Sequence, residues 1–209
     1  MISVVKGPRP QSLEEHEDEW NQQHVQAVEK WKQEGETGPR PSAKYNQKDI
    51  KMALERDFHK KCGFCESQYG AITYADIEHF LPKSIHYELA HTWKNLLLSC
   101  KKCNMSKRDN LTKIVNPCEI IDPRQLFSYD NELKGKIIIS GLTPEAKNTI
   151  SVCDLNRDDL VDKRAETTLM VRSAVKLSKL GDTDELDEYM SKIEYREYLG
   201  ALRFFNLIV

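Results

Sequence analysis

Two Cys-x-x-Cys pairs stand in the middle of the chain, at Cys62 and Cys65 and at Cys100 and Cys103. Each pair can present two sulfurs to one ion, and four thiolates complete the tetrahedral ligand set of a structural zinc. Thiolates also favour zinc over magnesium or calcium. The pairs are separated by 34 residues, more than the roughly 15 to 20 of a common zinc ribbon. The spacing therefore predicts further structure inserted between two zinc knuckles.

Five residues in and behind this insert carry groups that suit metal binding and proton transfer. They are a carboxylate, a histidine, two amides and an amine, at Glu78, His79, Asn95, Asn104 and Lys107. Carboxylate and amide oxygens are suitable ligands for magnesium or manganese. A histidine whose pKa lies near neutrality can take a proton from water. Together with a lysine that can hold a phosphate, the set could activate water beside a metal ion.

Short elements must position these groups. Residues 72–77 alternate β-branched and polar side chains, which predicts a strand ending in the carboxylate and the histidine. Residues 95–100 form a mostly apolar run that begins with the first amide and predicts a second strand. A short helix is expected after it, carrying the second amide and the lysine.

The flanking regions are predicted to be mainly helical. Ser12 and Glu15 form a Ser-x-x-Glu capping box, so a helix is expected from Ser12 to about Glu34. A second helix is expected over residues 47–58. Behind the middle part we expect a hairpin over 126–140 around Lys134-Gly135, a helix from Pro144 capped by Thr143, a long helix after Asn156, and a last helix from about Asp184.

Charge is strongly segregated, although the net charge is only −2. Residues 83–113 hold seven basic and two acidic side chains, whereas residues 12–36 hold eight acidic and two basic ones. Residues 182–199 hold seven acidic and two basic side chains. A basic middle between acidic ends suggests a polyanion site held by arms that contact something else. Because no apolar run is long enough to cross a membrane and the start lacks a signal-peptide pattern, we expect a soluble, cytoplasmic protein.

The motifs resemble the site of HNH nucleases. Glu78-His79, Asn95 and Cys100-x-x-Cys103-Asn104-x-x-Lys107 are similar to the ββα-metal motif with a structural zinc, over about residues 62–108. The resemblance implies an α+β fold with an HNH core at 62–113. A helical arm at 1–61 and a hairpin with C-terminal helices at 114–209 would flank that core.

The same resemblance implies a role for each motif residue. His79 would be the general base and Asn95 would orient it. Glu78 and Asn104 would hold a catalytic Mg²⁺ or Mn²⁺, where the family commonly has aspartate and histidine. Lys107 would contact phosphate. Nucleic-acid contacts are expected from the basic residues Lys83, Lys101, Lys102, Lys107 and Arg108.

A narrower resemblance extends over most of the chain. Residues 2–13, the string Glu78–Lys83 and Asp154-Leu155-Asn156 are similar to the PtuB group, the HNH components of Septu anti-phage systems and some retron operons. It implies a DNA endonuclease paired with an ABC/SMC-like ATPase of the PtuA type. Apolar anchors for that partner are expected at Trp20, Trp31 and residues 202–209. An RNase toxin with the same site and a non-catalytic zinc module that binds nucleic acid are the alternatives.

Overall fold

Short strands and longer helices make up the chain, as a computed structural model describes it for residues 1–69, 74–130 and 135–208, apart from the side chain of Tyr195. The helices are α1 (Gln11–Gln33), α2 (Lys48–Asp57), α3 (Lys101–Lys107), α4 (Pro144–Val152), α5 (Asp158–Ser178), α6 (Asp184–Met190) and α7 (Leu199–Phe204). The strands are β1 (Asp76–His79), β2 (Leu96–Ser99), β3 (Phe127–Asp130) and β4 (Ile138–Gly141). The predicted α+β class with an HNH-like core is confirmed.

The central unit is an antiparallel pair of strands followed by a helix. β1 pairs with β2 so that His79 lies opposite Leu96 and Glu78 opposite Leu97. The three leucines of β2 are fully buried. α3 begins directly after β2, with Cys100 as its N-cap residue, and packs against β1. The predicted strand over 72–77 overlaps β1 only at its end, and residues 72 and 73 lie outside the described ranges.

The N-terminus of α1 is capped by another helix. The carboxylate of Asp49 in α2 accepts both the backbone N–H and the hydroxyl of Ser12, each at 2.9 Å. The N-cap residue is Pro10, which has no side-chain cap, so the predicted capping box at Ser12 and Glu15 is wrong. Local sequence could not reveal this, because the capping carboxylate comes from 37 residues away.

The region behind the central unit follows the predicted pattern. β3 and β4 form the antiparallel hairpin, with Lys134 of its expected turn outside the described residues. The hydroxyl of Thr143 accepts the N–H of Ala146 at 3.2 Å, so the predicted cap of α4 is confirmed. The side chain of Asn156 pairs with both backbone groups of Ile139, at 2.9 and 2.8 Å. This pairing joins β4 to the start of α5.

One hydrophobic core runs through the three regions of the chain. It includes Leu13 of α1, Leu54 of α2, Leu97 of β2, Phe127 of β3 and Leu155 before α5, all nearly inaccessible to solvent. Trp20 and Phe205 are half-buried and pack against this core, while Leu202 and Ile208 are buried in a smaller second cluster. Within the described ranges, no helix combines the length and apolarity needed to span a membrane.

Candidate active site

The four cysteines converge on one point, as their spacing predicts. Their sulfurs lie within 4.8 Å of one another, and all four are free thiols. The Cys65 and Cys100 sulfurs are 3.8 Å apart. Sulfurs placed tetrahedrally at about 2.3 Å from a zinc ion would be separated by about 3.8 Å. In the part of the chain that the structure describes, this is the one group of three or more histidine, cysteine or carboxylate ligands.

The first knuckle is held against β2. The N–H of Gly63, inside the first Cys-x-x-Cys pair, donates to the carbonyl of Leu98 at 2.9 Å. A Cβ at this position would lie 2.7 Å from Cε1 of Phe58, so the close approach requires glycine. The second knuckle spans the first turn of α3. A metal ion in the cluster would therefore fix the helix that also carries Asn104 and Lys107.

Arg157 contacts the cysteine cluster from outside the motif. Its Nη1 donates to the Cys103 sulfur at 3.5 Å and to the Asp154 carbonyl at 3.0 Å. Its Nε lies 3.1 Å from a carboxylate oxygen of Asp159. Four thiolates around a divalent ion carry a net charge of −2, which a guanidinium donor partly offsets. Arg157 follows the Asp154-Leu155-Asn156 string, which gave no indication of this contact.

His79 is buried at the end of β1 in a defined tautomer. Its Nε2 lies 2.9 Å from the carbonyl oxygen of Ala90, and because a carbonyl only accepts, Nε2 carries the proton. Nδ1 is therefore the basic nitrogen. Burial lowers the pKa of His79 to about 4, and the nearby charges of Lys83 and Lys107 add to this effect. The ring is neutral at neutral pH, and Nδ1 is the nitrogen that can accept a proton. Its pKa is lower than the near-neutral value expected from the sequence alone.

Asn95 braces the backbone around His79. Its Oδ1 accepts the N–H of Leu81 at 2.8 Å, and its Nδ2 donates to the carbonyls of Leu81 at 3.0 Å and Leu89 at 3.3 Å. Leu81 follows His79 in the chain, and Leu89 precedes the Ala90 carbonyl that holds the ring. The amide thus fixes the two segments that determine the orientation of His79, without a contact to the ring itself.

Lys107 is enclosed in the protein against Glu78. Its Nζ lies 2.6 Å from Oε1 of Glu78 and 2.8 Å from the His79 carbonyl, with the two side chains 1% and 9% exposed. Burial raises the pKa of Glu78, although Lys107 opposes the shift. The expected contact of Lys107 with phosphate does not match this placement, because α3 directs the ammonium into the interior.

Asn104 points to the carboxylate of Asp76, which is not part of the HNH-like motif. Its Nδ2 donates to Oδ2 of Asp76 at 2.9 Å. Asp76 precedes Glu78 by two residues in β1, and side chains two apart lie on the same face of a strand. That spacing was a readable signal. The face of β1 that packs on α3 therefore carries two carboxylates. The Asn104 amide of α3 lies against one of them, Asp76.

These oxygens fit a hard divalent cation. In the described part of the chain, Oε2 of Glu78 and Oδ1 of Asn104 have no hydrogen-bond donor. Asp76 adds a half-buried carboxylate beside them. Carboxylate and amide oxygens are the donors that magnesium and manganese bind. The chemistry of these donors therefore fits a cation of the kind expected at Glu78 and Asn104, and Asp76 is a further candidate ligand.

The other expected nucleic-acid contacts differ in their surroundings. Lys101 and Arg108 are exposed. Lys102 is exposed too, but its ammonium lies 2.8 Å from the Asp159 carboxylate in α5. Lys83 is half-buried, and its Nζ donates to the Tyr45 hydroxyl at 2.6 Å. Lys101 and Arg108 are therefore accessible to a polyanion, whereas Lys102 would first have to leave its ion pair with Asp159.

Comparison with known proteins agrees with this geometry. Residues 61–110 match the family model for HNH endonucleases. The chain is 28% identical over 190 residues to the Septu protein PtuB of Bacillus mycoides (strain KBAB4), covering 75% of this chain and 62% of that protein. It is 35% identical over 114 residues to the Septu protein PtuB of Bacillus thuringiensis, covering 53% of this chain and 42% of that protein.

The chain thus spans less than two thirds of the length of either relative. The family match covers the paired strands, α3 and all four cysteines, which are the parts that build the site. Residues 61–110 form an HNH endonuclease domain, in a chain that is similar to the Septu protein PtuB.

Proposed function

We propose that this chain is a metal-dependent endonuclease that hydrolyses phosphodiester bonds in DNA. The observation that carries the proposal is His79. It is neutral, its proton is held on Nε2 by the Ala90 carbonyl, and Nδ1 is left as the acceptor. A general base must be uncharged and must present a nitrogen that can accept a proton, and His79 meets both conditions. A non-catalytic zinc module would need neither.

In the proposed reaction, Nδ1 of His79 takes a proton from water as the water oxygen attacks phosphorus. The bond from phosphorus to the 3′ oxygen breaks, and the departing oxygen takes a proton from solvent water, which leaves a 5′-phosphate and a 3′-hydroxyl. Asn95 keeps the ring in place through the backbone at Leu81 and Leu89. A divalent cation at Asp76, Glu78 and Asn104 would supply positive charge to the phosphate and the departing oxygen.

The four-cysteine site has a separate, structural role in this proposal. Four protein ligands leave no open position on a tetrahedral ion, so a zinc there would lock the knuckles and not act on substrate. Because the second knuckle is the first turn of α3, the zinc would determine where Asn104 lies relative to β1.

The test is cleavage of plasmid DNA, single-stranded DNA and tRNA by the purified chain with Mg²⁺ or Mn²⁺, with analysis of the product ends. We expect DNA products that carry 5′-phosphates, and no cleavage in EDTA. Cleavage of tRNA alone would replace the DNA assignment with the RNase alternative. DNA binding with no cleavage under any metal condition would favour the non-catalytic module.

We also propose that the chain is the nuclease subunit of an anti-phage complex with an ATPase of the PtuA type. The similarity to PtuB supports this pairing. The ATPase could bind the acidic outer surface of α1, where Glu14, Asp18 and Glu29 are exposed. A carboxylate-rich surface repels DNA and favours a basic protein partner.

Co-expression with an ATPase of the PtuA type should give a complex on size exclusion. Reversing charges with Glu14→Lys and Asp18→Lys should weaken it, while Asp162→Lys on exposed α5 should not. Deletion of residues 202–209 is a poor test, because Leu202 and Ile208 are buried and their loss would disturb folding. A chain that elutes alone beside the ATPase at micromolar concentration would contradict the pairing.

A further inference from the structure

The linker between α1 and α2 lies over the insert of the HNH domain. Arg40 donates from Nη2 to the Ser84 carbonyl at 2.6 Å. The backbone N–H of Lys44 donates to Nε2 of His91 at 2.8 Å, and the other ring nitrogen of His91 contacts Asn21 of α1 at 3.2 Å. These contacts fasten a segment from outside the 61–110 family match beside the nuclease site.

Tyr45 is the linker residue that reaches the site. Its ring meets the ring of His79 edge to face, with centroids 4.6 Å apart and an interplanar angle of 87°. Its hydroxyl accepts a hydrogen bond from Nζ of Lys83 at 2.6 Å, and the same ammonium lies 4.5 Å from the centre of the Tyr45 ring. Tyr45 therefore touches the imidazole and a cation at the same time.

The Tyr45–Lys83 pair has hydrogen-bonding capacity that the described protein atoms do not use. Lys83 has three N–H donors and no carboxylate within ion-pair distance in the described ranges, and one of the three is directed to Tyr45. The Tyr45 hydroxyl accepts that bond, so its own proton can go to another acceptor. The charge of Lys83 acts on both His79 and Glu78. A cation that has no ion-pair partner in the described ranges, and that keeps two N–H donors beside a general base, suits a phosphate oxygen.

We propose that Tyr45 and Lys83 form a phosphate-binding pair of the nuclease site, which rests on the proposed endonuclease function. A non-bridging oxygen of the substrate backbone receives hydrogen bonds from the Tyr45 hydroxyl and the Lys83 ammonium. The Tyr45 ring meanwhile packs on His79 and limits its rotation. The nuclease site thus includes a substrate-contacting residue from the N-terminal region, and the HNH domain alone lacks it.

The experiment compares Tyr45→Phe, Tyr45→Leu and Lys83→Met in the full chain. Affinity for a labelled DNA duplex is measured by fluorescence anisotropy without added divalent metal, and kcat and KM are measured with Mg²⁺. A hydrogen bond to a charged group contributes about 1.5–3 kcal/mol, which corresponds to roughly 10- to 140-fold in affinity. Tyr45→Phe should therefore weaken binding and raise KM by about 10-fold or more, with little change in kcat.

Two further comparisons separate the roles of hydroxyl, ring and charge. Tyr45→Leu should lower kcat as well, because the His79 ring loses its packing partner. Lys83→Met should reduce the salt dependence of binding by about one phosphate contact. The double variant Tyr45→Phe/Lys83→Met should lose less DNA affinity than the product of the two single losses, because both donors bind one phosphate.

Tyr87→Phe is the matched control, because Tyr87 also lies under a lysine, Lys32 at 4.4 Å, but without a hydrogen bond between them. It should behave like the wild type. Unchanged DNA affinity and KM in Tyr45→Phe would refute the proposal that Tyr45 and Lys83 bind a phosphate. An equal loss of DNA affinity in Tyr45→Phe and Tyr87→Phe would refute it too. Loss of DNA affinity in Tyr45→Phe by a protein that cleaves nothing would support the pair and refute the proposed activity.

Discussion

Lys107→Met should destabilise the protein strongly, because it leaves the Glu78 carboxylate buried without its partner. The two side chains are 1% and 9% exposed, with Nζ 2.6 Å from Oε1. Removing one member of such a pair costs about 3–5 kcal/mol. For a chain of 209 residues, this free energy corresponds to a fall in Tm of roughly 6 to 20 °C.

The double variant Lys107→Met/Glu78→Met should be more stable than Lys107→Met alone. Burial raises the pKa of Glu78 even with Lys107 beside it, so the desolvation of the carboxylate outweighs the attraction. Removing both charges therefore relieves a penalty that removing one leaves in place. If Glu78 also binds a divalent cation, Mg²⁺ should restore part of the stability of the single variant and none of that of the double variant.

The assay is thermal and urea unfolding at saturating zinc, with Lys102→Met as the control. Lys102 also forms an ion pair, with Asp159, but those side chains are 66% and 50% exposed, so its loss should matter little. A Lys107→Met protein as stable as the wild type would refute the reasoning. A double variant no more stable than Lys107→Met would refute the conclusion that desolvation of the Glu78 carboxylate outweighs its attraction to Lys107.

Further predictions concern the zinc centre and the packing around it. Cys103→Ala should lose about one zinc per chain, as measured by elemental analysis. It should also lose cooperative unfolding, because structural zinc supplies roughly 10 kcal/mol or more of folding free energy. A stably folded metal-free protein would contradict this. Arg157→Gln should weaken zinc retention against a chelator by about 10-fold or more, the usual effect of losing a group behind a ligand. Gly63→Ala should cost about 1–3 kcal/mol in urea unfolding because the Phe58 ring must shift. Asp49→Ala should cost about 0.5–2 kcal/mol through the lost cap of α1, and Asp49→Asn less.

The convergence of the four cysteines could be predicted from the sequence because the spacing within each pair is local. Each Cys-x-x-Cys pair forms one tight turn, and Asn104 follows the last cysteine directly. The alternation of residues in 72–77 predicted a strand, but β1 is Asp76–His79. Strand limits depend on the partner, and in the described part of the chain β2 pairs with these four residues.

The remaining features depend on contacts between distant segments. Lys107 lies in a basic stretch, so composition predicted an exposed phosphate contact, whereas the packing of α3 on β1 buries it against Glu78. The cap on α1 comes from Asp49, and Tyr45 reaches His79 from a linker with no motif of its own. Such pairings carry no periodic signal, so only the folded chain reveals them.

The most direct test of the nuclease mechanism is the single-turnover rate of DNA cleavage by His79→Ala, with its DNA affinity measured alongside. Loss of a general base costs about 10²- to 10⁴-fold in rate, while affinity should hold because the neutral ring of His79 adds little to phosphate attraction. His86→Ala is the control, since His86 is half-buried in the same insert and contacts Glu88 at 3.3 Å. We predict wild-type cleavage by His86→Ala and a rate at least about 100-fold lower for His79→Ala. Equal rates for the two variants would contradict the assignment of His79 as the general base.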